Sequence, residues 1–246
     1  MNRGRPGKAM LEAANLVKHY QQRCVVDHLS LRVERGQIIG LLGPNGAGKT
    51  TTFRMMVGFI AAEQGSVTLD GRNLESLPFY QRARMGISYL PQEPSIFVKA
   101  TVADNLKLAL EWTQSGKKLQ QTCQRLLEEF TLTSLESHLA STLSSGERRR
   151  LEIARALATS PSFILLDEPF SGIDPLTIHD LQGCLSRLKE QDIGFVITDH
   201  NVRDTLAVTD YTYLIHEGKL IVEGTADELV TDPLARQFYL GSRFRL

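Results

Sequence analysis

The feature of this sequence that most constrains its fold is the octapeptide GPNGAGKT at residues 43–50. An entirely apolar run, IIGLL, precedes it, and apolar residues at spacings of three, four and seven follow it from Phe53 to Ile60. The first pattern predicts a strand buried on both faces, and the second predicts a helix. A glycine-rich turn between such a strand and a helix is typical of α/β proteins with a largely parallel sheet.

The remaining patterns extend this prediction over most of the chain. Between residues 10 and 66, short and partly alternating apolar runs predict strands, and VTLDGRNL has the Asp-Gly pair of a hairpin. Strands return at FILLD, GFVIT and the pair YTYLI–KLIVEG, and the capping-box sequence TADE predicts a final helix from about Thr225. We therefore expect a basic leader at residues 1–9 and one domain at residues 10–246, with a core at 10–93 and 161–230, an α-helical subdomain inserted at about 94–160, and a C-terminal helix and tail at about 225–246.

Composition narrows the classes of protein to consider. Lys+Arg and Asp+Glu both total 28, so the formal net charge is zero and gives no bulk attraction to nucleic acid. The three cysteines show no metal-ligand spacing, which favours free thiols in a reducing compartment. No apolar run approaches the ~20 residues that span a bilayer, and the basic N-terminus leads into no signal-peptide core. We expect a cytoplasmic protein that would need another chain to supply any membrane-spanning part.

The octapeptide itself predicts a phosphate-binding loop, because it fits G-x-x-x-x-G-K-[ST] in the expected strand–loop–helix context. Its glycines allow successive backbone N–H groups to turn toward phosphate oxygens, and the following helix adds the partial positive charge of its N-terminus. Lys49 brings a full charge to the β- and γ-phosphates, and the Thr50 hydroxyl can ligate Mg²⁺. The nucleotide-binding residues predicted here are Gly43, Pro44, Asn45, Gly46, Ala47, Gly48, Lys49, Thr50 and Thr51.

Two acidic strand ends supply the chemistry that a bound nucleotide needs. FILLDEP places Asp167 at the end of a buried strand, where it can hold Mg²⁺, and Glu168 follows, placed to polarise an attacking water. GFVITDH repeats the arrangement with Asp199 and His200. His200 is interpreted as a catalytic contact to the γ-phosphate, although Asp199 would also suffice to orient a purely structural histidine.

With these residues in place, the chain resembles the ATP-binding-cassette family over nearly its whole length. Besides GPNGAGKT and FILLDEP, the resemblance rests on YLPQE with Gln92, LSSGE at 143–147, SGID at 171–174, and His200, in the order that this family has them. It implies an ATPase with Mg-ATP as cofactor and the α/β fold of a P-loop NTPase core: a mostly parallel sheet, an N-terminal antiparallel β subdomain and an inserted α-helical subdomain. It also implies that Gln92 senses the nucleotide and ligates the metal, and that Tyr20 stacks on adenine.

The LSSGE segment implies a second copy of the chain. In similar proteins this segment contacts the γ-phosphate held by the other subunit of a head-to-tail dimer around two ATP molecules, which makes Ser144, Ser145, Gly146 and Glu147 nucleotide-binding residues. Ser144 and Glu147 also have capping-box spacing, and both interpretations can hold, because a capped helix N-terminus can bind anions. The family usually has glycine at the position of Ser145, so we expect its β-carbon to weaken closure of the dimer.

The resemblance also implies that the partners are integral membrane subunits and not nucleic acid. It implies that this chain lies at the cytoplasmic face of the inner membrane. The expected docking groove comprises Phe79–Arg84 and Pro94–Thr101. Within the family, YLPQEPSIF, SGERRRLEIARALA, TDHNVRDTL and the ending YLG–FRL are most similar to ATPases of lipopolysaccharide export, with Val98 as a departure inside the groove.

Two other interpretations remain. ATPases of branched-chain amino-acid importers are the runner-up. A cassette ATPase acting on DNA or ribosomes is disfavoured by the single P-loop, and we interpret the run Arg148–Arg150 as a solvated or interface face of a helix rather than as a nucleic-acid site.

Overall fold

The computed structural model describes residues 9–241 and 244, and it contains two sheets. The strands are β1 (Met10–Tyr20), β2 (Arg23–Glu34), β3 (Ile38–Leu42), β4 (Gln64–Leu69), β5 (Arg72–Asn73), β6 (Ile87–Leu90), β7 (Phe163–Asp167), β8 (Gly194–Thr198), β9 (Tyr211–His216) and β10 (Lys219–Gly224). Residues 1–8 of the expected basic leader lie outside the described residues, as do 242, 243, 245 and 246 of the expected tail.

Helices connect and cover the strands. They are α1 (Lys49–Val57), α2 (Phe79–Arg84), α3 (Val102–Leu110), α4 (Gly116–Glu129), α5 (Ser145–Leu157), α6 (Pro175–Glu190), α7 (Val202–Leu206), α8 (Ala226–Thr231) and α9 (Pro233–Ala235). Two 3₁₀ turns lie at Thr133–Leu135 and Ala140–Thr142, and one π-helical turn lies at Arg236–Leu240. Within the described residues, no helix is both long and apolar enough to cross a membrane.

The larger sheet has the order β10-β9-β3-β8-β7-β6, with parallel pairing from β9 to β6 and an antiparallel edge strand, β10. The smaller sheet, β2-β1-β4-β5, is antiparallel throughout. Because parallel strands end at the same edge, the loops after β3, β7 and β8 come together there. The predicted fold class, with its mostly parallel sheet and N-terminal antiparallel subdomain, is confirmed.

Two main cores cover opposite faces of the larger sheet. Ile164 and Leu166 of β7 pack into a cluster with residues of α3–α6, whereas Phe163 and Leu165 pack toward α1 and the smaller sheet. This alternation follows from the period of two in a strand. It explains why β7 is apolar at successive positions and delivers Asp167, its last residue, to the edge where the loops meet.

Local sequence signals account for most element ends. The hairpin turn at Glu217-Gly218 has positive φ at both residues, and Thr225 with Glu228 forms the predicted capping box of α8. The expected continuation of α1 to Ile60 is wrong, because Gly58 takes a left-handed conformation with φ of 85° and ends the helix.

Candidate nucleotide-binding and hydrolytic site

The loop between β3 and α1 has a backbone that only glycine permits at two close approaches. Gly43 and Gly48 have φ of 155° and 104°, and an added β-carbon would lie 2.2 Å from the Ile215 carbonyl oxygen or 2.5 Å from the Val25 carbonyl oxygen, respectively. No side chain caps the N-terminus of α1. The first amide groups of this helix are therefore available to an anion, as a phosphate-binding loop requires.

Lys49 lies almost fully buried beneath this loop. Its Nζ donates hydrogen bonds to the carbonyl oxygens of Gly43, at 2.7 Å, and of Pro44, at 3.0 Å. Burial lowers the pKa of the ammonium group, and the carboxylates of Glu168, Asp167 and Asp199 oppose that shift. The charge is thus held between the loop and the acidic strand ends.

Asp167 is held by the two strands that flank its own. Its Oδ1 accepts a hydrogen bond from the Thr198 hydroxyl at 2.8 Å, and its Oδ2 accepts one from the Tyr89 hydroxyl at 3.1 Å. Burial and then the Asp167 charge raise the pKa of Tyr89, so this hydroxyl remains a donor. Sequence reasoning missed both donors, although each lies at or next to the end of a strand, Tyr89 in ISYL and Thr198 in GFVIT.

Glu168 has a strained backbone that turns its side chain into the site. Its φ is +50°, and its N–H donates to the Thr198 carbonyl oxygen at 2.7 Å, which holds the turn. Its Oε2 accepts a hydrogen bond from Gln92 Nε2 at 2.8 Å and lies 3.4 Å from His200 Nδ1. The structure therefore brings together Glu168, Gln92 and His200, which are far apart in the sequence.

Asp199 and His200 have separate environments. Asp199 is fully buried, and its carboxylate accepts hydrogen bonds from the backbone N–H groups of Phe170 and Asn201, both at 2.9 Å. Burial raises its pKa. His200 keeps 57% of its side chain exposed, with Nδ1 3.6 Å from the Asp199 carboxylate. Asp199 thus ties the loop after Glu168 to the loop that carries His200.

The arginine run contains a buried structural residue. Arg149 is 7% exposed, pairs with Glu152 at 2.8 Å, and donates to the carbonyl oxygens of Pro169 at 3.1 Å and Glu168 at 2.8 Å. The interpretation of the whole run as a solvated or interface face is wrong at this position, because the helical period turns Arg149 toward the carbonyl groups of the Glu168 turn.

The Arg149–Glu152 pair also contacts the segment after Gln92. Glu152 accepts a hydrogen bond from the Ser95 N–H at 3.1 Å, and the Arg155 guanidinium donates to the Ser95 carbonyl oxygen at 2.6 Å. A continuous set of contacts therefore joins Ser95 through Glu152 and Arg149 to the backbone of Glu168.

The LSSGE segment forms the start of α5. Ser144 and Glu147 make a complete capping box, and a β-carbon on Gly146 would lie 2.6 Å from Thr177 Cγ2 in α6. Ser145 is exposed at the first helical position. Within residues 9–241 and 244, no hydrogen bond joins Ser144–Glu147 to Gly43–Thr51.

Tyr20 also lies apart from the acidic cluster. It ends β1 with 47% of its surface exposed, and Lys18 Nζ lies 6.0 Å from its ring centroid.

Protein side chains alone do not form a metal cage here. Among the described residues, no group of three or more His, Cys, Asp or Glu side chains is arranged to hold an ion. Thr50 and Asp167 offer hard oxygen donors, which suit Mg²⁺, but an ion here would need phosphate or water oxygens as further ligands.

Comparison with known proteins agrees with this geometry. The sequence profile of a family described as ABC transporter matches residues 26–171. The lipopolysaccharide export system ATP-binding protein LptB of Acidithiobacillus ferridurans is 48% identical over 238 residues, which cover 96% of this chain and 99% of that protein. The protein of the same name from Escherichia coli K12 is 48% identical over 240 residues, covering 97% and 100%.

Solved structures share the fold over nearly the whole chain. The crystal structure of a nucleotide-free ATP-binding cassette from an ABC transporter has a TM-score of 0.86 and 27% identity, covering 95% of this chain and 100% of that one. The crystal structure of the ADP conformation of an ATP-binding cassette of an ABC transporter has a TM-score of 0.85 and 27% identity, covering 95% of this chain and 99% of that one. The family resemblance and the binding of ATP are thereby confirmed.

Proposed function

Because this chain belongs to the ABC transporter family and is an ATPase, we propose that two copies of it drive integral membrane subunits that export lipopolysaccharide. The observation that carries the hydrolytic part is the meeting of Glu168, Gln92 and His200 beside the phosphate-binding loop. Transport by a branched-chain amino-acid importer is the alternative, and no observed contact favours it.

In the proposed reaction, Glu168 accepts hydrogen bonding from the water that attacks the γ-phosphate. Its strained turn fixes the carboxylate, and its contact with Gln92 makes the position of Glu168 responsive to that side chain. His200 donates to the γ-phosphate, and Lys49 stabilises the charge that develops on the phosphate oxygens.

Mg²⁺ would be held by Thr50, Asp167 and the side-chain oxygen of Gln92. It would neutralise charge on the β- and γ-phosphates. Tyr89 and Thr198 keep the Asp167 carboxylate fixed by donating to one oxygen each, which leaves the second lone pairs of both oxygens available.

A second copy completes each site in this proposal. At the start of α5, Ser144 and Ser145 are exposed, Glu147 is half-buried and Gly146 is buried, and within the described residues none of the four makes a hydrogen bond to the phosphate-binding loop of its own chain. We propose that they meet the γ-phosphate held by the other copy, and that Tyr20 stacks on the adenine of its own. The N-terminus of α5 offers backbone donors and a partial positive charge for that contact.

The membrane subunits would dock on the α2 surface and the segment after Gln92. Tyr80 is 56% exposed, and Phe97 and Val98 are 54% and 46% exposed. These exposed apolar side chains, one on α2 and two in the segment after Gln92, suit apolar segments of a partner. The contacts from Ser95 through Glu152 and Arg149 to Glu168 give this region a physical link to the reacting residues. In this proposal the docking surface comprises α2 and the first part of the inserted subdomain at about 94–160.

The proposed transported molecule is inferred from the proteins that this chain is similar to. Proteins named for lipopolysaccharide export match at 46–48% identity over nearly all of this chain, and we propose the same cargo and a position at the cytoplasmic face of the inner membrane.

Purification of the tagged chain from detergent-solubilised membranes tests the proposal. We expect integral membrane subunits to co-purify, and depletion of the chain to retain newly made lipopolysaccharide in the inner membrane. Val98→Glu should abolish co-purification while leaving ATPase activity of the isolated chain intact. Trp112→Glu is the matched control, because Trp112 is 78% exposed outside the docking surface. Recovery with ribosomes or DNA and no membrane protein would overturn the transport function.

A further inference from the structure

The chain from α8 to Leu240 packs against the stem of the nucleotide-binding loop. Ala235 is fully buried and Leu229 nearly so, and both pack in a cluster with Leu42, Leu206 and Leu214. Leu42 is the last residue of β3, directly before Gly43, and Leu206 lies in the short helix that follows His200. The chain after α8 therefore packs simultaneously on the stem of the phosphate-binding loop and on the helix that leaves the histidine loop.

Tyr239 makes a polar contact in this packing. Its hydroxyl donates to the carbonyl oxygen of Asp199 at 3.5 Å, and its ring packs against the cluster that contains Leu42. Burial raises the pKa of Tyr239 to about 12, and the nearby Asp199 and Glu168 carboxylates act in the same direction. At neutral pH the hydroxyl is therefore protonated and can donate to the Asp199 carbonyl oxygen.

Tyr239 contacts the two loops at a point where the strands that lead into them are no longer paired. Strands β3 and β8 are paired only from Ile38 with Phe195 to Gly40 with Ile197. Beyond that point no ladder pair joins the two strands, yet both continue into loops, one toward Gly43 and the other toward His200. Tyr239 joins the two loops where the ladder is missing, because its hydroxyl bonds to the Asp199 carbonyl group and its ring packs against the cluster that contains Leu42.

The neighbouring residue anchors the segment on its other side. The ring of Phe238 lies 5.1 Å from that of His216, which ends β9. The adjoining turn donates from the Gly218 N–H to the Ala47 carbonyl oxygen at 3.0 Å. The π-helical turn that carries Phe238 and Tyr239 is thus held between the hairpin and the histidine loop.

We propose that Tyr239 is a positioning residue for ATP hydrolysis, which fixes His200 relative to the phosphate-binding loop through its hydrogen bond to the Asp199 carbonyl group and its packing on the cluster that contains Leu42. The matched family profile ends at residue 171, so this contact is made by a part of the chain outside it. The inference rests on the hydrolytic function proposed above.

Steady-state ATPase kinetics of the full chain with Tyr239→Phe test this role. The variant keeps the ring and its apolar packing but removes the hydrogen bond to the Asp199 carbonyl group. We expect kcat to fall about three- to tenfold, the factor that corresponds to one net hydrogen bond, with the KM for ATP changed less than twofold.

Tyr213→Phe is the matched control, because the Tyr213 hydroxyl also bonds to backbone groups, those of Arg32, and Tyr213 is 6% exposed but lies away from the reacting residues. Tyr213→Phe should lower the melting temperature about as much as Tyr239→Phe does, but it should not lower kcat. In a His200→Ala background, Tyr239→Phe should change the residual single-turnover rate by less than twofold, because there is then no His200 imidazole for Tyr239 to position.

An unchanged kcat in Tyr239→Phe would overturn the proposal, and so would an equal loss of kcat in Tyr213→Phe. A full additional loss in the His200→Ala background would also contradict it, since Tyr239 would then act elsewhere. Lack of ATPase activity in the unmodified chain would instead count against the hydrolytic function itself.

Discussion

Replacing Arg149 by methionine should destabilise the chain strongly. The substitution keeps an apolar stem but removes the guanidinium that binds Glu152 and the carbonyl oxygens around the Glu168 turn. Glu152, 4% exposed, would then be a buried carboxylate without its cation. Breaking a buried pair from one side costs about 3–5 kcal/mol. For a chain of this size, that loss lowers the melting temperature by roughly 6–20 °C.

Urea and thermal unfolding measure this effect. Arg125→Met, on the exposed face of α4, is the control and should shift stability by less than about 0.5 kcal/mol. The double variant Arg149→Met/Glu152→Met should regain at least half of the loss, because it removes both charges. A loss below about 1 kcal/mol in the single variant, or no recovery in the double variant, would refute the reasoning.

Three further predictions concern the phosphate-binding loop and the start of α5. Lys49→Ala should weaken ATP binding by about 1.5–3 kcal/mol, measured by calorimetry, and unchanged affinity would contradict the phosphate assignment. Gly146→Ala should lower stability by about 1–3 kcal/mol, because its β-carbon meets Thr177, and Thr177→Ala should relieve the loss; a neutral Gly146→Ala would disprove the clash. Ser145→Gly should raise kcat, and an unchanged rate would show that this side chain does not restrain closure.

The fold and the residues proposed to bind and hydrolyse the nucleotide were predictable because their sequence signals are local. GPNGAGKT follows a buried strand, and FILLDEP and GFVITDH each end an apolar run in acidic residues. Parallel pairing then places the ends of these strands at one edge, so the meeting of Asp167, Glu168 and His200 follows from topology.

The supporting residues were not predictable because they act across long separations. Tyr89 bonds to Asp167 from a different strand, and Arg149 reaches Glu168 from a helix. Nothing in ISYL or in a run of three arginines indicates which side chain turns inward. The positive φ of Glu168 is likewise a property of the tertiary turn, since glutamate has no intrinsic preference for that conformation.

The proposed division of labour between the two copies depends on the start of α5. Ser144–Glu147 forms its own capping box and makes no hydrogen bond to Gly43–Thr51 in the described part of the chain. This arrangement agrees with the proposed contact to a second copy.

Nucleotide-dependent dimerisation of Glu168→Gln tests the central claim most directly. Glutamine keeps the size of the side chain and can still bond to Gln92, but it cannot act as a carboxylate base. With Mg-ATP, the variant should elute as a dimer that retains two ATP molecules and should show no measurable turnover, while the unmodified chain hydrolyses ATP and returns to monomer. Normal hydrolysis by Glu168→Gln, or a variant that binds ATP and stays monomeric, would contradict the account.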